Sequence, residues 1–174
     1  MQRTLVMTII GPDRPGLVES VARLVRQHQG NWLESRMSRL GGQFAGILRV
    51  QVPAEAEAAL TRALSGLASR GLSVVVQPDQ TTAAPVPAES RQLELIGQDR
   101  PGIVQEITSA LARHGVNVEE LETECVSAAM SGETLFKARA RVLVPVSANV
   151  AALKAELEKI ASDLIVEVAF LKLA

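Results

Sequence analysis

The chain says nearly the same thing twice. Gly11-Pro12-Asp13-Arg14-Pro15-Gly16-Leu17-Val18 returns 86 residues later as Gly97-Gln98-Asp99-Arg100-Pro101-Gly102-Ile103-Val104. At the same offset His28 falls on His114, Asn31 on Asn117 and Glu34 on Glu120. Nine of the 24 positions from Gly11 to Glu34 are identical, where chance gives about one or two. The sequence is therefore a tandem duplication, and its 174 residues divide into two modules of about 80 each. Modules that small bury a core only marginally, so the halves are expected to pack together or to dimerise.

Hydrophobic periodicity gives both halves one order of elements. Thr4 to Ile10 is rich in strand formers and is stopped by Gly11-Pro12. Leu17, Val21, Leu24 and His28, with Val18 and Val25 beside them, recur at helical spacing until Gly30. A strand from about Trp32 turns at Gly41-Gly42 into a partner from Phe44 to Val52. Pro53 opens a second helix striped by Leu60, Leu64 and Leu67, and Gly71 closes it before the strand Leu72 to Val76. The second half repeats this from Leu93, with a helix striped by Ile103, Val104, Ile107 and Leu111. Its hairpin runs Val116 to about Val126 and Leu135 to Val144; a helix follows over Val150, Leu153, Leu157 and Ile160, then a strand from Leu164 to Leu171. Six extra residues fall in its hairpin loop near Ala128 to Glu133, where insertion is tolerated.

The β-α-β-β-α-β order predicts an α+β chain of two ferredoxin-like modules, each a four-stranded antiparallel sheet with both helices on one face. Domain bounds of 1–78 and 91–174 are expected. Between them residues 79–90 carry two prolines and no periodicity, a semi-extended linker able to span roughly 35 Å at ~3.1 Å per residue. The uncovered sheet faces and edges call for a second module or a second copy as cover.

Composition narrows the function. A formal net charge of −1 gives no field to draw nucleic acid or an anionic membrane. Trp32, Phe44, Phe136 and Phe170 are the whole aromatic complement, too few for a base-stacking platform. The single Cys125 excludes an intramolecular disulfide and a multi-cysteine metal site. No apolar run reaches a membrane span, and Met1-Gln2-Arg3-Thr4-Leu5 lacks the long apolar region of a signal peptide. A cytoplasmic protein is expected, with no metal and no cofactor.

The repeated turn carries the chemistry. Proline near the first helical position presets φ, the preceding Asp can cap orphan amides, and glycine clears the approach to them. The turn is either a well-made helix start or a pocket for a small carboxylate or phosphate. Asn31 and Asn117 each open the strand after the helix, where an amide can bond both the carboxylate and the ammonium of an amino acid; an Asn after a turn is also ordinary loop chemistry. The topology is expected to bring that strand end close to the turn. His28 and His114 end their helices, where an imidazole can bond the last carbonyls. Lys137, Arg139 and Arg141 alternate along one strand and share a face, as a solvated or interface-forming stripe or as a contact for an anionic partner.

Asp13-Arg14-Pro15-Gly16-Leu17-Val18 with Asn31, and Asp99-Arg100-Pro101-Gly102-Ile103-Val104 with Gly115-Val116-Asn117-Val118, resemble the ACT domain, a small-molecule regulatory unit of amino-acid metabolism. Two such modules with no enzyme attached resemble the glycine cleavage system transcriptional repressor family. The resemblance implies a non-enzymatic regulator that binds a glycine- or serine-class amino acid between modules. It would act on transcription through a protein partner, a DNA-binding activator, and form a homodimer. In the serine-binding type the ligand touches the turn of one module and the Asn at a strand start. The implied ligand-binding residues are Asp13, Arg14, Gly16, Leu17 and Asn31, and Asp99, Arg100, Gly102, Ile103 and Asn117. The serine-binding type often has His at the positions of Gly11 and Gly97, and Asn at those of Asp13 and Asp99. Two other readings share the topology: an acylphosphatase-like hydrolase using Arg14 and Asn31, and an RNA-binding module.

Overall fold

The computed structural model describes residues 1–80, 87–127 and 133–172. They form two compact units, Met1–Ala83 and Ala84–Ala174. In the first unit the order is β1 (Gln2–Pro12), α1 (Leu17–Gln27), β2 (Asn31–Leu40), β3 (Gln43–Pro53), α2 (Glu57–Ser65) and β4 (Ser73–Pro78). Short 3-10 turns precede and follow α2. The second unit repeats it: β5 (Ala88–Gln98), α3 (Ile103–Arg113), β6 (Asn117–Ser127), β7 (Thr134–Pro145), α4 (Val150–Leu164) and β8 (Val166–Lys172). The sheets are ordered β2-β3-β1-β4 and β6-β7-β5-β8, and every strand pair is antiparallel. This is the α+β, ferredoxin-like architecture expected.

Each sheet covers its core with alternate residues. Leu5, Met7 and Ile9 of β1 and Leu48, Val50 and Val52 of β3 are buried, facing Leu17, Val21 and Val25 of α1 and Leu60 and Leu64 of α2. In the second unit Leu93, Leu95 and the alternate residues Phe136 to Val144 meet Ile107, Leu111, Leu153 and Leu157. All four aromatic residues pack against these cores, so neither open sheet face presents an aromatic platform for RNA.

The structure moves several expected boundaries. Strand β5 begins at Ala88 and pairs with β7 from Pro145 upward, so the linker expected to end at Ser90 gives up its last residues to the sheet. At its other end the N–H of Asp79 donates to the carbonyl of Thr4 at 3.0 Å, and Arg49 grips its carboxylate at 2.8 Å. Residues 81–86 of that linker, and most of the six-residue insertion, lie outside the described residues. Edge strands β2 and β6 also carry a feature unforeseen from the sequence, a one-residue bulge between Trp32 and Glu34 and again between Val118 and Glu120.

Candidate functional site

Both repeated turns are built from the backbone outward. Gly16 and Gly102 stand just before α1 and α3 with φ of 88° and 100°, the left-handed region that favours glycine. Proline therefore sits one step outside the helix rather than in its first turn. No side chain caps either helix, whereas Asn149 caps α4 by accepting from the N–H of Ala152 at 3.0 Å. The capping expected of Asp13 and Asp99 is not made. Their backbone N–H groups instead donate to Gly42 and Thr134 carbonyls at 2.9 Å, which tie each turn to its hairpin. Gly16→Val would force a β-branched residue into left-handed backbone at a cost of ~1–2 kcal/mol. We expect a melting temperature several degrees lower, read by circular dichroism, rather than a folded protein with a blocked pocket.

The side chains of the turns divide by task. Leu17 and Ile103 are buried in the cores, so only their main-chain N–H groups remain for a ligand. Arg14 donates to the carbonyl of Arg70, and Arg100 to that of Asp163 at 3.1 Å. Each arginine thus braces the carbonyl-rich end of the next helical segment, where a cation is favourable. Asp13 pairs with Arg39 of β2 at 2.8 Å. Asp99 has Cys125 of β6 as its neighbour; partial desolvation, and after it the charge of this carboxylate, push that thiol above its ordinary value.

Asn31 and Asn117 do not join the turns of their own modules. Asn31 pairs with Gln51, which pairs with Thr4, whereas Pro12 lies opposite Gln43. The eight residue steps from Thr4 to Pro12 span about 26 Å at ~3.3 Å each. The reason is topological: β2 runs parallel to β1, so the crossover through α1 returns the chain to the foot of the sheet. The same register puts Asn117 opposite Leu143 and Ser90, away from Asp99. The acylphosphatase-like pairing of Arg14 with Asn31 is therefore not made within the module.

The other candidates find structural partners. His28 bonds the carbonyl of Leu24 through Nδ1 at 2.8 Å, as expected of a helix end. His114 instead meets Glu156 of α4 through Nε2 at 2.9 Å, and Arg113 also pairs with that carboxylate. Hydrogen bonds from Arg113, then from His114, hold Glu156 below the ordinary carboxylate value of 4.5. A depressed carboxylate contributes stability that is complete above the ordinary value and is lost as pH falls below it. Glu156→Gln should therefore lower the melting temperature at pH 7, and the gap to the wild type should close towards pH 3. A gap that widened in acid would contradict this.

The basic stripe is matched by acid. Arg141, Arg139 and Lys137 lie directly opposite Glu120, Glu122 and Glu124. Arg139 pairs with Glu94 at 3.2 Å, and Arg141 with Glu119 at 3.2 Å and Glu120 at 2.6 Å. Glu94, Glu122, Glu124, Lys137, Arg139 and Glu167 line a hollow of about 720 Å³ on the open face of the second sheet. So many carboxylates leave no net pull on an anionic partner. Among the described residues no group of acidic, histidine or cysteine side chains is arranged to hold a metal ion, and no helix is long and apolar enough to cross a membrane.

Fold, repeat and turn define a class. Residues 3–77 and 91–162 each match the ACT domain family, and the chain belongs to it as two ACT domains in tandem. Among characterised relatives it is similar to the glycine cleavage system transcriptional repressor of Escherichia coli (strain K12). Identity is 31% over 124 residues, 69% of this chain and 64% of that protein. The repressor of Shigella flexneri matches to the same extent. The match thus spans under two thirds of the length of these relatives. Among solved structures, an unknown protein from Galdieria sulphuraria aligns over 100% of both chains with a TM-score of 0.84 and 28% identity. A protein proposed as a glycine cleavage system transcriptional repressor aligns over 99% of both, with a TM-score of 0.71 and 20% identity; that likeness speaks for the fold alone.

Proposed function

We propose that the chain is a non-enzymatic regulator that binds a small amino acid of the glycine or serine class where two ACT modules meet. Through a protein partner, a DNA-binding activator, it would adjust transcription of amino-acid metabolism, as the name of its repressor relatives suggests. The observation that carries this reading is the paired, uncapped helix start. In both modules a left-handed glycine opens the approach to main-chain N–H groups with no side chain of their own, a ready receptor for a carboxylate. The Asn at the far end of β2 and of β6 supplies the second half. Strands β2 and β6 are sheet edges, and two such edges set antiparallel bring the turn end of one beside the Asn end of the other. A site of that kind needs two modules, which fits a homodimer and lets ligand occupancy alter how modules associate.

A thermal-shift screen against the twenty amino acids tests the binding, since a ligand at 100 times its Kd stabilises by ~2.7 kcal/mol. Asn31→Ala or Asn117→Ala should weaken binding by about 1–3 kcal/mol in calorimetry, the cost of one buried hydrogen-bond partner. Unchanged affinity in both variants would move the site elsewhere. With a net charge of −1, few phosphates could be neutralised and salt would erase the attraction. Gel-shift experiments on the isolated chain should accordingly give no sequence-specific DNA binding, with or without glycine or serine.

A further inference from the structure

The two copies have kept one fold but not one kind of edge. On the open face of the first sheet, β2 presents Glu34, Arg36 and Ser38, which lie opposite Arg49, Ile47 and Ala45 of β3. Their counterparts in β6 are Glu120, Glu122 and Glu124, opposite Arg141, Arg139 and Lys137 of β7. The bulged residue differs too: an exposed leucine, Leu33, in β2 and Glu119 in β6. Strand β6 thus carries four carboxylates and no cation, whereas β2 carries one carboxylate together with Arg36 and Arg39.

An edge strand holds unpaired N–H and C=O groups that a second copy of itself can meet. Laid antiparallel and centred on Ser35, two β2 strands set Glu34 of each opposite Arg36 of the other, on one face of the joined sheet. Two opposite-charge pairs result, one on each side of the two-fold axis. Centring on Glu34 or on Arg36 instead sets like charges opposite each other, so the side chains select a register. Strand β6 has no such choice. Centred on Glu120, Leu121, Glu122, Thr123 or Glu124, it always sets glutamate directly against glutamate. The remaining edges, β4 and β8, are shorter, at six and seven residues against ten in β2, and β4 ends on Pro78, which lacks an N–H.

The number of usable edges decides the assembly. A chain with two self-complementary edges adds copies at both and grows without closing, whereas one such edge closes at two copies. We propose that β2 pairs with β2 of a second copy of this chain in the register set by Glu34 and Arg36, and that the glutamates of β6 keep that edge unpaired, so that assembly stops at the dimer. This gives the homodimer proposed above its surface and rests on that reading.

Sedimentation equilibrium on the full chain, without added amino acid, tests the pairing. Glu34→Arg and Arg36→Glu should each weaken dimerisation about 10-fold or more, because each turns both pairs into like charges. Mixing the two variants should restore the dimer, since each then faces the opposite sign. The mixture separates the contact from damage to the fold, as Glu34 also pairs with Arg49 at 2.9 Å; circular dichroism checks the fold of each variant. Glu122→Arg, Glu124→Ser and Arg139→Ile combined give the second sheet the residues at the equivalent places in the first, and should drive assembly beyond the dimer. A monomeric wild type would remove this proposal and the homodimer together. Dimers unchanged in both single variants, or a mixture that stays monomeric, would overturn the β2 contact while sustaining the homodimer. Tighter association in Glu34→Arg would also overturn it, in favour of β2 of one copy against the acidic β6 of another. A triple variant that remains dimeric would overturn the guarding role of β6.

Discussion

Gly97→Val is expected to cost about 3 kcal/mol, the top of the usual range for overpacking, and to lower the second module's melting temperature by about 12 °C or more. A Cβ at Gly97 would lie 2.6 Å from the Cα of Val166 and 2.8 Å from the carbonyl oxygen of Ile165. Both are backbone atoms where β8 enters the sheet beside β5, so no rotamer change relieves the overlap. The first module repeats the arrangement: a Cβ at Gly11 would stand 2.5 Å from the carbonyl oxygen of Gly71, and Gly11→Val should behave alike. Differential scanning calorimetry measures both. A loss below about 1 kcal/mol would show that the incoming strand yields cheaply, against the low compliance of packed interiors.

These glycines show where the sequence is legible and where it is not. Gly11 and Gly97 read naturally as strand stops, because glycine beside a turn signal punctuates local structure. They are in fact strand residues kept small by a chain segment about 60 to 70 residues further on. Local pattern carries no record of that neighbour. The elements themselves were legible because their apolar residues keep strict periods, as Leu5, Met7 and Ile9 do in β1 or Leu153 and Leu157 in α4. Where the period breaks, meaning was lost. Val118 and Leu121 both border the apolar slot beneath α3 although they are three residues apart, a spacing that only a bulge reconciles with a strand. Gly71 closes the second helical segment as expected, but its counterpart is Ile165, a β-branched residue at φ 54°. With no glycine to mark the end, the last strand was expected from Leu164 and begins at Val166.

The candidate site was legible in its residues rather than in its geometry. Repetition singled out the turn and the Asn, but not that both helix starts carry no side-chain cap. Their separation within a module follows from strand direction, a property of the whole sheet. The pairing of Asp13 with Arg39 depends on the hairpin folding back over 26 residues of chain.

Burial predicts the other large effect. Leu60 and Leu153 are fully shielded, at 0% exposure each, and both sit on the helix face turned to the sheet. Truncation to alanine removes three buried carbons and leaves a cavity that the surrounding strands close only in part, at a cost of about 2–5 kcal/mol. For modules of this size that is a large share of the stability available. The consequence should be local. Leu60 belongs to a cluster drawn from the first module alone and Leu153 to one drawn from the second, so each substitution weakens one core. Hydrogen exchange followed by mass spectrometry should show Leu60→Ala raising deuterium uptake in β1 and β3 before β5 and β7, with the reverse for Leu153→Ala. A uniform rise across both modules in either variant would sink the view that each core is its own cooperative unit.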